Sequence, residues 1–210
     1  MTVFLQLATI AAMPVVLSVI LYILDKKTAF KKIKYVPKQL IFGILFGLLA
    51  VCATEFGVNV GGATVNVRDS APLCAGLIFG GPAGIIAGII GGVERWFAVL
   101  WGSGEYTRLA CSVSTVLAGI IAALIRKFMF DNKKPSWFYG LAIGMIMEVI
   151  HMLMIFLTNM SDVHVAFSFV KICSWPMISI NGIAVMMSVL FVSVIGKSKK
   201  KKHGELKSIS

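Results

Sequence analysis

Long apolar runs with few charged residues dominate the hydrophobic pattern of this chain. Each run is about 20 residues long, which is the length that an α-helix needs to cross the hydrocarbon core of a bilayer. The strands of a membrane β-barrel would instead alternate apolar and polar residues with a period of two. Because the runs are continuous, the pattern predicts membrane-spanning helices. The predicted segments cover residues 3–24, 39–56, 71–94, 105–125, 136–158 and 165–195.

The composition agrees with this pattern. Hydrophobic residues make up 58% of the 210 residues and charged residues only 14%, and the mean hydropathy is +0.91. Soluble domains carry roughly 25% charged residues. The first run has no basic residues before it and no small-residue cleavage site after it, so it is expected to be a retained span and not a secretory signal. The predicted fold class is an all-α polytopic membrane protein with about six to seven hydrophobic helices.

The basic residues are concentrated in three short stretches. Residues 25–38, 126–134 and 197–210 hold sixteen of the twenty lysines and arginines. The positive-inside rule places all three stretches in the cytoplasm, with the N-terminus outside and the C-terminus inside. The net charge of +11 therefore indicates membrane orientation and attraction to anionic lipid. Binding to nucleic acid is not expected.

The glycine-rich stretch at 71–95 decides how the remaining segments cross. Two apolar segments, 71–94 and 105–125, lie between residue 56, which is expected outside, and residue 126, which is expected inside. If each segment crossed the membrane once, the basic loop at 126–134 would be outside, against its charge. The sequence Gly-Gly-Pro that ends at Pro82 is able to break a helix and turn the chain back. The stretch is then either two short helices or a re-entrant hairpin, and in both cases Arg68 and Arg95 finish together on the outer side.

Four basic residues remain outside the cytoplasmic clusters, and two of them are candidates for ligand binding. Arg68 and Arg95 would converge beside a polar helix, where two guanidinium groups make a fork for a carboxylate. The alternative for each basic residue is that it reaches to lipid headgroups or pairs with a neighbour. That alternative applies most strongly to Arg108, beside Glu105, and to Lys171. For Arg68 the neighbouring partner would be Asp69, and for Arg95 it would be Glu94.

The helix predicted at 108–127 carries the polar residues that would face these arginines. Cys111 and Ser114 are three residues apart and Thr115 is four from Cys111, so they lie along one side of the helix. Their hydroxyls either bond back to the preceding turn or donate to a ligand oxygen. No neighbouring residue in the sequence indicates that the Cys111 thiol is an activated nucleophile, so it is expected to act as a packing group or weak donor.

Two later segments supply secondary candidates. Glu148 and His151 occur at an i, i+3 spacing inside a span, where ionisable residues often have a function, although a structural hydrogen bond is the alternative. One Glu and one His make a poor metal site, so no metal and no cofactor are expected. In the final span Pro176 should kink the helix, close to Asn181. Lys171 completes this secondary set.

Together these residues resemble the LytS/YhcK-type five-transmembrane receptor, the membrane-sensor region of bacterial histidine kinases and diguanylate cyclases. The similar stretches are NVRD, LCAGLIFGGPAGIIAGIIGGVER, ACSVSTVLAGIIAALI, the Glu148–His151 pair and PMISING. The resemblance implies a sensor domain over 37–196, after an N-terminal helix and basic loop (1–36) and before a lysine-rich tail (197–210). Some members of the family sense extracellular pyruvate. By motif, the ligand-binding roles fall on Arg68, Arg95, Cys111 and Ser114.

The resemblance implies a bacterial plasma-membrane receptor for a small carboxylate. The expected partners are this ligand, the lipid bilayer, and either a cytoplasmic kinase or cyclase output or a second copy of the chain. No kinase or cyclase motif is found in the sequence, so this polypeptide itself is expected to catalyse nothing. It would be either a stand-alone receptor or the sensor part of a longer protein. The glycine-rich half also resembles substrate-binding subunits of energy-coupling-factor transporters, which gives the alternative function.

Overall fold

The computed structural model describes residues 3–60, 63–102 and 104–207, and most of them are helical. The longer helices, here named with the short ones in chain order, are α1 (Val3–Asp25), α3 (Tyr35–Glu55), α5 (Gly81–Phe97), α6 (Arg108–Phe128), α7 (Trp137–Thr158) and α8 (Val163–Lys207). The short helices are α2 (Thr28–Lys31) and α4 (Ser70–Cys74). A two-stranded antiparallel hairpin, β1 (Val58–Val60) and β2 (Ala63–Val65), joins α3 to α4.

Six helical segments of the described chain are long and apolar enough to cross a membrane, which confirms the predicted fold class. A shorter apolar segment, Ser70–Phe79, consists of α4 and a following π-helical turn, Ala75–Phe79. The β-hairpin was not predicted from the sequence.

The surface of this bundle is apolar, whereas much of its interior is polar. Large side chains such as Leu153, Trp175 and Ile183 are exposed on the long helices. Buried positions include charged and amide groups, among them Arg68 and Glu148. An apolar exterior around buried polar groups is stable in lipid, where apolar side chains need no burial.

The chain reverses at Gly80, as the sequence predicted. This residue has a φ of +154°, and a Cβ atom there would clash with the side chain of Gln39. The side-chain amide of Gln39 binds both sides of the break. Its Nε2 donates to the Phe79 carbonyl at 3.1 Å, and its Oε1 accepts from the Ala83 N–H at 3.2 Å. The break is therefore a fixed corner between two helices.

The two arms of this turn differ in length. The first arm, Ser70–Phe79, has ten residues, whereas the second continues from Gly81 through a 3₁₀ turn to Trp101. The second arm thus extends beyond residue 95, where the glycine-rich stretch considered in the sequence ends. The corner lies near the lysine-rich ends of the neighbouring helices, since Arg126 near the end of α6 donates to the Leu77 carbonyl at 2.9 Å. The first arm ends and the second begins at this corner. The other ends of both arms therefore lie on the opposite side, where Arg68 and Arg95 lie together.

Glycines of α5 allow its close approach to α6. A Cβ atom on Gly88 would lie 2.9 Å from the Thr115 carbonyl oxygen, and one on Gly92 would lie 2.8 Å from the Ser112 carbonyl oxygen. A Cβ atom on Gly119 of α6 would clash with the Gly84 carbonyl oxygen. This contact between glycine-bearing faces sets the distance between Arg95 on α5 and the polar residues of α6.

Candidate ligand-binding site

The segment between β2 and α4 is fixed by buried hydrogen bonds. The side chain of Asn181 on α8 donates to the Asn66 carbonyl at 2.9 Å and accepts from the Ser70 N–H at 3.2 Å. The side-chain oxygen of Asn66 accepts from the N–H of Arg68 at 3.1 Å. Asn181 therefore positions the segment that carries Arg68 and Asp69.

Asp69 is the acceptor at the centre of the buried polar cluster. Ser114 donates to its Oδ2 at 3.1 Å and Thr115 donates to its Oδ1 at 2.6 Å. His151 Nδ1 lies 2.8 Å from Oδ2, and Arg68 Nε lies 3.8 Å from Oδ1. Burial disfavours an ionised carboxylate, but the two hydroxyl donors and the nearby Arg68 stabilise this form. Asp69 is therefore surrounded by groups that favour its ionised form.

His151 connects Asp69 to Cys111. Its Nε2 lies 3.3 Å from the Cys111 Sγ, on the opposite side of the ring from Asp69. Glu148 lies one turn earlier on α7, with its Oε2 3.5 Å from His151 Nδ1. Neither oxygen of Glu148 has a hydrogen-bond partner among the described residues. Glu148 thus lies behind the ring and is excluded from solvent.

The two arginines are both buried and are held in different ways. Arg68 Nε donates to Thr115 Oγ1 at 2.8 Å, and its Nη1 lies 3.4 Å from Thr54 Oγ1. Its Nη2 is buried without a hydrogen-bond partner in the described part of the chain. Arg95 Nη2 donates to the Gly104 carbonyl at 2.7 Å and to Thr107 Oγ1 at 3.1 Å.

A cavity of about 330 Å³ lies between these groups. Arg68, Arg95, Cys111 and His151 all line it, so the break at Gly80 brings the two arginines to one site. Glu55 also lines the cavity, and its carboxylate accepts from the Trp101 indole N–H at 2.9 Å. The other lining residues are Thr54, Gly57, Thr64, Asn66, Gly102, Gly104, Thr107, Ile155, Phe169 and Met177.

The other predicted site residues have different positions. Ser114 and Thr115 adjoin the cavity but direct their hydroxyls to Asp69, and Asn181 holds the preceding segment. Lys171 is exposed on α8 and is not among the residues that line the cavity. Arg108 lies outside the cavity, with its guanidinium 4.1 Å from the centre of the Trp96 ring.

Three residues of the polar cluster and the cavity were not predicted as site residues from the sequence. Asp69 was recognised only as a possible partner of Arg68, although a carboxylate at the start of an apolar segment is itself a signal. Thr54 and Thr107 contact the arginines from α3 and from the loop before α6, and no local spacing predicts these contacts.

Potential metal ligands also occur in this cluster, although none was expected. Ligand atoms of Asp69, Glu148 and His151 lie within 4.8 Å of one another. The Asp69 oxygens, however, already accept from two hydroxyl groups, and His151 Nδ1 lies 2.8 Å from one of them. Protein donors thus account for the arrangement, and we treat it as a hydrogen-bond network.

Comparison with known proteins agrees with this architecture. The family model described as 5TMR of 5TMR-LYT matches residues 21–195. No solved structure matches the chain. The family match covers α3 to α7 completely, together with most of α8, and thus includes every residue of the polar cluster.

Several curated relatives are sensor proteins. Sensor histidine kinase YpdA of Escherichia coli is 34% identical over 120 residues, which are 57% of this chain and 20% of that protein. Sensor histidine kinase BtsS of the same species is 24% identical over 123 residues, 57% of this chain and 21% of that protein. Sensor protein LytS of Streptococcus agalactiae is 26% identical over 176 residues, 75% of this chain and 28% of that protein. The chain thus spans between a fifth and three tenths of the length of these relatives. It belongs to the LytS-type family of five-transmembrane receptors, and is a multi-pass protein of the bacterial plasma membrane with the sensor region of that family.

Proposed function

We propose that this chain is a receptor for a small extracellular carboxylate, a short 2-oxo acid such as pyruvate, and that it signals to a cytoplasmic output of the histidine-kinase or cyclase type. The observation that carries this proposal is the convergence of two buried arginines on one cavity of about 330 Å³. Arg68 Nη2 has no hydrogen-bond partner in the described chain. A buried donor of this kind is costly unless a ligand accepts from it.

The charges around the cavity favour an anion. Asp69 is the nearest carboxylate to Arg68, but its oxygens are occupied by Ser114, Thr115 and His151. Glu55 is held by Trp101. The guanidinium groups of Arg68 and Arg95 therefore supply a positive potential that a carboxylate would neutralise with charge-assisted hydrogen bonds.

Helix α8 is the element through which ligand binding would reach the cytoplasm. Met177 on this helix lines the cavity, and the helix then continues without interruption to the lysine-rich stretch. Pro176, inside the helix, lies next to Met177. A small shift of α8 at the cavity would then move its cytoplasmic end. The names of the relatives, sensor histidine kinases, support such a signalling role.

Calorimetric titration of the purified protein with pyruvate tests this proposal. We expect Arg95→Gln and Arg68→Lys each to weaken binding at least about tenfold, since one charge-assisted hydrogen bond contributes about 1.5 kcal/mol or more. Arg108→Gln is the matched control, because Arg108 packs on Trp96 away from the cavity, and it should bind as the wild type does. If Arg95→Gln and Arg68→Lys both bind pyruvate like the wild type, the two-arginine site is wrong.

A further inference from the structure

Asp69, His151 and Cys111 form a line of closely spaced groups that ends at the cavity. The distance from Asp69 Oδ2 to His151 Nδ1 is 2.8 Å, and that from His151 Nε2 to Cys111 Sγ is 3.3 Å. A carboxylate this close to Nδ1 would repel a nitrogen lone pair and therefore favours the tautomer of His151 with its proton on Nδ1. In the neutral ring Nε2 is then the acceptor, and it is positioned to take the proton of the thiol.

This order of groups is that of a nucleophile, its base and the residue that orients the base. Sequence spacing did not predict it, because Cys111 and His151 lie on different helices and are 40 residues apart. Two cations also line the cavity with Cys111, and positive charge favours a thiolate. Glu148 approaches only the Nδ1 side of the ring, at 3.5 Å, and so leaves the Nε2 side to the thiol.

The other three cysteines have different surroundings. Cys74 and Cys173 are buried in apolar clusters, and Cys52 is exposed on α3. None of the three lines this cavity. The combination of a cavity wall, a histidine base and nearby cations is thus specific to Cys111.

We propose that Cys111 binds a 2-oxo acid covalently and reversibly, as a hemithioketal. This inference rests on the proposed function, since Arg68 and Arg95 would hold the carboxylate while the thiol attacks the adjacent carbonyl carbon. His151 Nε2 takes the thiol proton, the sulfur electron pair forms the C–S bond, and the carbonyl π electrons move to oxygen. The proton on His151 then passes to that oxygen, which becomes an uncharged hydroxyl group. The step needs no oxidant or reductant. The reverse sequence releases the acid.

The proposal explains how the site would distinguish a 2-oxo acid from a 2-hydroxy acid of the same size. Both carry the carboxylate that the arginines recognise, but only the 2-oxo acid has an electrophilic carbon. In the wild type we therefore expect pyruvate to bind at least about tenfold more tightly than lactate. In Cys111→Ser this preference for pyruvate over lactate should fall to within about threefold. Cys52→Ser is the matched control and should keep the full preference.

Carbon-13 NMR of the protein with pyruvate labelled at C2 tests the bond directly. A bound signal in the tetrahedral-carbon region, present in the wild type and Cys52→Ser and absent in Cys111→Ser, is the expected result. A tetrahedral signal that persists in Cys111→Ser would be a bound hydrate and would overturn the proposal. If the wild type binds pyruvate with only a carbonyl signal, covalent capture is wrong while the receptor function stands. If the wild type binds neither acid, the proposed function itself fails.

Discussion

The Asp69 carboxylate holds together side chains from two different helices. Ser114 and Thr115 reach it from α6 and His151 reaches it from α7, while Asp69 itself immediately precedes α4. Buried ionised groups are stable only when they are paired and hydrogen-bonded. The cluster therefore fixes the relative positions of these helices as well as the cavity wall.

Asn181 is the residue whose loss should loosen this arrangement most selectively. Asn181→Ala removes the bonds to the Asn66 carbonyl and the Ser70 N–H, and leaves both backbone groups buried without that partner. We expect a loss of about 2 kcal/mol or more in the free energy of unfolding, because each buried unsatisfied group costs about 1–3 kcal/mol. Thermal and denaturant unfolding in detergent would measure it, and pyruvate affinity should fall in parallel.

Asn159→Ala is the control for this substitution. The Asn159 amide bonds only within the end of α7, to Ile155 and Thr158, so its loss should leave pyruvate affinity unchanged. Equal effects of the two substitutions on affinity would contradict a specific role for Asn181.

The polar residues on one helix were easier to predict than their partners. Cys111, Ser114 and Thr115 follow helical spacing and therefore share one side of α6. The partners of these side chains, Asp69 and His151, are separated from them by 40 or more residues, and only the packed fold sets these distances. For this reason the contact between the Cys111 thiol and the His151 imidazole was not predicted from the sequence.

At the scale of elements, the hairpin of α4 and α5 determines where the site lies. The corner at Gly80 is held by Gln39 of α3, and the arms approach each other closely, because a Cβ atom on Gly84 would lie 2.7 Å from the Gly76 Cα. The Gly-Gly-Pro motif predicted this turn. The π-helical turn over Ala75–Phe79 was not predicted, since it depends on how the arm fits against its neighbours.

The contact between α5 and α6 should be sensitive to one methyl group. Gly119→Ala would place Cβ against the Gly84 carbonyl oxygen and within 3.2 Å of the Ile85 Cα, so the helices must separate. Backbone atoms cannot move aside as a flexible side chain does, and overpacking typically costs about 1–3 kcal/mol. We expect lower thermal stability and at least about tenfold weaker pyruvate binding, because Arg95 would move away from α6.

Leu124→Ala provides the comparison on the same helix. Leu124 is exposed on the outer surface of α6, so shortening it should change neither stability nor binding appreciably. A Gly119→Ala protein that unfolds and binds as the Leu124→Ala protein does would show that the close contact is not required.

At the scale of the whole molecule, the distribution of charge and the path of the hairpin agree with each other. The corner at Gly80 lies beside Arg126, at the lysine-rich end of α6, and the ten residues of Ser70–Phe79 span about 15 Å from there to Asp69. The buried cluster is therefore about half the hydrocarbon thickness from that end. The positions of most apolar segments followed from hydropathy, whereas the length of the second hairpin arm did not. The β-hairpin over 58–65 did not either, because its strands are only three residues long.

The orientation of this molecule in the membrane is a prediction of the lysine clusters. Asn132 lies in the loop between α6 and α7, which should face the cytoplasm, and Leu100 lies at the far end of the second hairpin arm, which should face outward. Single cysteines introduced as Asn132→Cys and Leu100→Cys, in a protein without its four native cysteines, would report the two sides. We expect an impermeant maleimide to label Leu100→Cys on intact cells and to label Asn132→Cys only after permeabilisation. Labelling of Asn132→Cys on intact cells would show that the molecule has the opposite orientation. The cavity between Arg68 and Arg95 would then open towards the cytoplasm and take its carboxylate from there.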